Sequence, residues 1–177
     1  ADAILLLETG VNKAWAKLDF FRSAFAGGLG GEGVGQIEEA KATADRLFGA
    51  LKPTLVWSVG AVSMPRAMLK VFLNLLWIAN ECLPRGGTVT VEAAPAAAGG
   101  DPAAVGEIRI IAVGPRAAMR ASTRQVLGGE TPEDGYQAYN VQPALTGILA
   151  RQAGVDLLAR EADGQVELIA RSAQIVA

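Results

Sequence analysis

From the start of the chain to Phe25 an apolar side chain returns at every third or fourth position without a break. Ile4, Leu7, Val11, Ala14, Leu18, Phe21 and Phe25 form this line, which is the seam of a bundle helix. Lys13, Lys17 and Asp19 lie off it. The line stops at "AGGLGGEGVG", which a helix would cross only at about 1 kcal/mol per glycine, so a boundary is expected between Gly28 and Gly35. Left in water, the seam would forgo roughly 1.5–3 kcal/mol per large side chain, and a single helix of this length is marginal alone. Either it packs on the domain that follows, or its partners come from a helix preceding Ala1 together with a second protomer. Bundle architecture favours the second arrangement.

The rest of the chain alternates helices and strands. Gln36 to Leu51 has a helical apolar face and stops before Pro53. "TLVWSV" reads as a strand. Pro65 opens a long apolar helix to about Leu83 from the favoured first-turn position. "PRGG" turns into the alternating strand "TVTVEA". "APAAAGGDPAA" is a hairpin loop and "GEIRIIAVG" the returning strand. A short helix covers Arg120 to Leu127, "GGETPEDG" is a loop, and "YNVQPALTGILARQAG" is a helix. "VDLLARE" and "QVELIARS" pair around the turn Asp163–Gly164. Mixed helices with largely antiparallel strands predict a two-layer α/β sandwich.

Composition removes several functions. Of 177 residues, 51% are apolar and 19% charged, which excludes a disordered chain. A net charge of −2 without a basic run offers no nucleic-acid footprint. No apolar run approaches the roughly 18 residues of a membrane span. One cysteine precludes a disulfide framework and fits a reducing cytoplasm. With no histidine and scattered carboxylates, no metal cluster is expected. The chain begins at Ala1 rather than Met.

Three stretches then carry the argument. "NLLWIANECLPRGG", Asn74 to Gly87, resembles the asparagine-containing helix and Pro–Gly–Gly turn of sensor histidine kinases. Asn74, Leu75, Leu76 and Ala79 match, but Ile78 stands where those kinases keep a magnesium-holding asparagine. Magnesium needs oxygen ligands, and Asn80 lies about 200° further around the helix. "AVGPRA" resembles their D-x-G-x-G motif, with Gly114 kept, Ala112 in place of the adenine-binding aspartate and Arg116 in place of the second glycine. Their glycine-rich phosphate loop falls near "YNVQ", where Tyr139 and Val141 replace glycines whose backbone N–H groups would cradle phosphate. Tyr136 and Tyr139 are expected to fill the former nucleotide pocket. Trp57, Trp77 and Cys82 are read as core, and the placing of Phe20 is left open.

A bundle helix followed by such a degenerate domain resembles the bacterial histidine phosphotransferases of phosphorelays. The likeness rests on "AKLDFFRSAFAGG", "KPTLVWSV", "LNLLWIANECLPRGGTVTV", "VGPRAAMR" with "VLGGE", and "VQPALTGILARQAG". It implies an α+β fold: a bundle helix over 1–27, part of a dimeric four-helix bundle; a linker over 28–35; and a degenerate histidine-kinase-type ATPase sandwich over 36–177. It implies transfer of a phosphoryl group between receiver domains of a hybrid histidine kinase and of response regulators, in the cytoplasm, by a homodimer joined through its N-terminal helices. No ATP or other cofactor is expected, because the receiver brings magnesium. The phospho-accepting histidine is absent from these residues and is expected on a first hairpin helix upstream of Ala1, so no catalytic residue is assigned. Partner-binding residues are expected at Lys13 and Lys17 on the bundle helix, and at Arg116, Arg120 and Arg124, whose spacing of four would place them on one helix face. The rival functions are a receiver-docking scaffold that transfers nothing and an ATP-dependent kinase or ATPase.

Overall fold

The structure, a computed structural model, describes residues 2–25, 33–60, 63–95, 105–133 and 135–172. Helix α1 spans Asp2–Phe25. Strand β1 (Val34–Gln36) follows, then α2 (Ile37–Phe48), β2 (Thr54–Ser58), β3 (Ser63–Pro65) and α3 (Arg66–Glu81). Strands β4 (Thr88–Pro95) and β5 (Val105–Val113) precede α4 (Ala121–Leu127), α5 (Val141–Gln152) and the terminal hairpin of β6 (Val155–Ala162) and β7 (Gln165–Ser172). Most of the expected linker, 28–32, and most of the expected hairpin loop, 96–104, lie outside the described residues.

Five strands form one sheet in the order β2-β4-β5-β7-β6. Among the described residues only β2 and β4 run parallel, Thr54 opposite Thr88 and Ser58 opposite Glu92, with α3 as their crossover. The inner face is apolar, with Val89, Val91, Ile108, Ile110, Val166 and Leu168 all buried. Against it lies α3, with Phe72, Leu75, Leu76 and Ala79 buried. Helix α3 is apolar nearly all round because helices press on its other sides, as a fully buried helix requires. The "RGG" turn needs its second glycine: Gly87 has φ 141°, and a Cβ there would lie 2.2 Å from the carbonyl oxygen of Val113. Strands β1 and β3 form an additional antiparallel ribbon, Val34 opposite Pro65. At three residues each, they are too short to leave an alternating pattern in the sequence. Pro65 stands one place before α3, as its extended N-cap, rather than inside the first turn.

The seam of α1 divides. Its last two turns pack on the domain. Phe20 and Ala24 are fully buried, and Phe21 meets Trp77 edge-on at 4.9 Å. Asp19 accepts from Arg46 of α2 at 2.6 Å, and that hydrogen bond holds its carboxyl below the usual range, helped by Arg22. Phe20 is therefore core. The rest of the seam faces solvent in this chain: Ile4 is 66% exposed, Leu7 68%, Val11 56% and Leu18 69%. The register at the domain end favours Phe20 and Ala24 over Phe21 and Phe25, one residue around the helix.

Candidate functional site

The region resembling a kinase nucleotide site is built from the C-terminal half of α3 and the segment joining β5 to α4. Ile78 is 1% exposed, and its hydrocarbon side chain presents no ligand atom to a metal. Ala112 is buried on β5 and has no side-chain acceptor. Between these elements remains a cavity of about 10 Å³ lined by Ile78, Glu81, Cys82, Met119, Arg120 and Thr123. That is the space of about one water, against several hundred Å³ for a typical cofactor pocket. Two features bound it. The segment after Gly114 is drawn onto α3, with the Ala118 N–H donating to the Cys82 carbonyl at 3.1 Å. Met119 and Ala117 are buried beneath it.

The ionisable side chains lining the region are Glu81, Arg120 and the Cys82 thiol. Partial burial pushes the Glu81 carboxyl up, against the opposing pull of Arg120 and of the Trp77 indole. Burial, then Glu81 and Glu161, push the Cys82 thiol to about 12, which keeps it protonated and unreactive at neutral pH. Tyr136 and Tyr139 do not fill the pocket as expected. They are 56% and 45% exposed, because α3 and the β5–α4 segment already occupy that space.

The five expected partner-binding residues are distributed over two surfaces. Lys13 and Lys17 are both exposed on α1. The Lys17 ammonium lies 5.7 Å from the centre of the Trp77 ring, a cation–π contact that ties α1 to α3. Arg116, Arg120 and Arg124 do not share a helix face. Arg116 sits in the turn after Gly114 with φ 60°, keeping a left-handed conformation where the resembled motif has glycine. Arg120 is the extended residue before α4, and only Arg124 is helical. The burial of Ala117 and Met119 stretches the chain across the core and delays the helix to Ala121. Arg120 stacks over Tyr139 at 5.8 Å, and Arg124 pairs with Glu161 of β6. All three remain exposed.

Sequence reasoning missed the role of Asn74. It is fully buried, and its amide joins three helices. A buried amide amid the apolar positions of α3 is itself the signal that would have found it, since such a group must be hydrogen-bonded. Trp77, read as core, is half-buried between Lys17 and Phe21. Trp57 is also half-buried and donates from its indole to Asp45 at 2.9 Å. Among the described residues no group of three metal-ligating side chains occurs, and no helix is long and apolar enough to cross a membrane.

Comparison with known proteins adds the family. Residues 37–165 match the model of the histidine phosphotransferase C-terminal domain. The protein phosphotransferase ChpT of Brucella abortus (strain 2308) is 33% identical over 160 residues, 88% of this chain and 72% of that protein. A solved bacterial phosphotransferase superposes with a TM-score of 0.82 at 27% identity, covering 96% of this chain and 78% of its own. The catalytic domain of the histidine kinase ThkA shares the fold at a TM-score of 0.52 and 12% identity, covering 78% of this chain and 93% of its own. With residues 37–165 matched by the family model and a third of its aligned residues shared with a protein phosphotransferase, this chain belongs to the histidine phosphotransferase family.

Proposed function

We propose that this protein relays a phosphoryl group between receiver domains in the cytoplasm and does so without ATP. The observation that carries the reading is the cavity of about 10 Å³ beside Ile78, in a domain of this family. Phosphoryl transfer from ATP depends almost wholly on positioning and metal charge, and Ile78 and Ala112 supply neither a metal ligand nor an adenine acceptor. In the relay, an imidazole nitrogen attacks the phosphorus of an aspartyl-phosphate. The acyl–phosphate P–O bond breaks, a P–N bond forms, and the receiver regains its carboxylate. The second step reverses these events on another receiver, each receiver holding its own magnesium. Neutral imidazole is a competent nucleophile near pH 7.

These 177 residues contain no histidine, so the acceptor imidazole comes from outside them. The exposed apolar face of α1 supports a location on a helix that covers that face, within a bundle shared by two protomers. Lys13 and Lys17 on the bundle side, and Arg116, Arg120 and Arg124 on the sandwich side, would meet an acidic receiver, with charge speeding encounter more than adding affinity.

The test is to incubate full-length protein with a receiver labelled on its aspartyl-phosphate. Acid-labile label should appear on the protein and pass to a second receiver. A protein that binds the receiver but gains no label is the scaffold instead. Saturable micromolar binding of magnesium–ATP would overturn the ATP-independent reading.

A further inference from the structure

The asparagine that opens the kinase-like motif has acquired a different task. Asn74 Nδ2 donates to the Lys70 carbonyl at 2.9 Å and to the Ala24 carbonyl of α1 at 3.4 Å. Its Oδ1 accepts from Gln142 Nε2 of α5 at 2.7 Å. Gln142 Nε2 also reaches the Asn74 carbonyl at 3.3 Å and Thr146 Oγ1 at 3.2 Å. One buried amide therefore ties the end of α1 to α3 and α5. The arrangement has a cost: Gln142 Oε1 is buried with no hydrogen-bond partner among the described residues. Native proteins seldom keep such an atom without a reason. The same end of α1 is held by Asp19 to α2 and by Phe21 and Lys17 to Trp77.

We propose that Asn74 is a positioning residue that locks the angle between α1 and the sandwich. The proposal rests on the relay reading for its purpose. Its candidate docking cations lie partly on α1 and partly on the sandwich. A partner that touches both surfaces binds better when their separation is fixed in advance, since less freedom is lost on binding. The helix of the nucleotide motif is retained because its asparagine braces the platform, although the metal position is hydrocarbon.

The experiment measures the distance between spin labels on full-length protein, at Glu8→Cys on α1 and Arg85→Cys beyond α3, both exposed. Labelled protomers are diluted with unlabelled ones so that distances within one chain dominate. Native Cys82 is buried and stays unlabelled. The native distribution should be single and narrow, and at least about twofold broader in Asn74→Leu, as expected when a local restraint is lost. The double variant Asn74→Leu, Gln142→Leu removes both amides and should recover part of the thermal stability. Its distribution should stay broad, because the Ala24 carbonyl still lacks its donor.

In both variants the KM for a phosphorylated receiver should rise about tenfold, with kcat within about threefold, as for lost pre-organisation of binding. An unchanged width in the double variant overturns the brace. An unchanged KM beside a broadened distribution overturns its role in positioning. Absence of transfer in the native protein would defeat the relay reading, while the label distances would still decide the brace.

Discussion

Two surfaces of this chain meet solvent in opposite ways. The outer face of the sheet carries a lattice of charge. Arg109 lies 3.1 Å from Glu107 and from Glu167, and 4.0 Å from Glu92. Arg160 reaches Glu167 at 3.7 Å, and Arg171 pairs with Glu107. The Arg109–Glu167 contact is electrostatic rather than directed, since Arg109 Nε finds no aligned acceptor. The outer part of α1 carries Ile4, Leu7, Val11, Trp15 and Leu18, each more than half exposed. The sheet face is largely charged, with Val56, Val113 and Leu158 as its exposed apolar residues. The helix face has the chemistry of an interior, and among the described residues none covers it.

The sharpest test of that contrast lies within α1 itself, where the inner end is core and the outer end is not. Phe20→Ala should lower the unfolding free energy in urea by about 3–5 kcal/mol, because a fully buried ring is replaced by a cavity. A loss below about 1 kcal/mol would place α1 off the domain.

The outer end should matter to association instead. Leu7→Glu with Val11→Glu, in full-length protein, should weaken self-association at least about 100-fold, equivalent to roughly 2.7 kcal/mol. Light scattering during size-exclusion chromatography reads this directly. An unchanged mass at micromolar concentration would mean that the face is not a seam between protomers.

The sheet face should respond far less. Arg109→Ala should shift stability by no more than about 1 kcal/mol, since exposed ion pairs seldom contribute more. A larger loss would show that the lattice acts as a cooperative unit.

The smallest effect is in pH. A hydrogen bond from Arg171 holds the Glu107 carboxyl below its usual 4.5. The folded state therefore binds this proton less readily than the unfolded state. Its contribution is present above that value and is lost as pH falls through the folded one. Thermal unfolding between neutral pH and pH 3 should show a shallower acid slope in Glu107→Gln. An identical slope would remove Glu107 from the acid response.

Much of the architecture was legible because it is written in local periods. The spacing of three and four in α1, the alternation in β4 and the Asp163–Gly164 turn are patterns over a few residues, and each element appears where its pattern lies. The division of the α1 seam was not legible. Phe20 and Phe21 are adjacent and equally apolar, and only the position of α2 and α3 decides which is interior. The three arginines show the reverse error: a spacing of four was read as a helix face, but the burial of Ala117 and Met119 keeps the chain extended until Ala121.

The sequence by itself determined what chemistry is missing. The side chains of isoleucine at 78 and alanine at 112 offer no ligand atom in any fold, and these 177 residues contain no imidazole to hold a phosphoryl group. Tertiary structure alone decided what the retained residues now do. Asn74 reaches Ala24 across 50 positions and Gln142 across 68, and the small cavity beside Ile78 exists only where α3 and the β5–α4 segment meet. Side-chain chemistry belongs to the residue, whereas burial and partnership belong to whatever the rest of the chain brings against it.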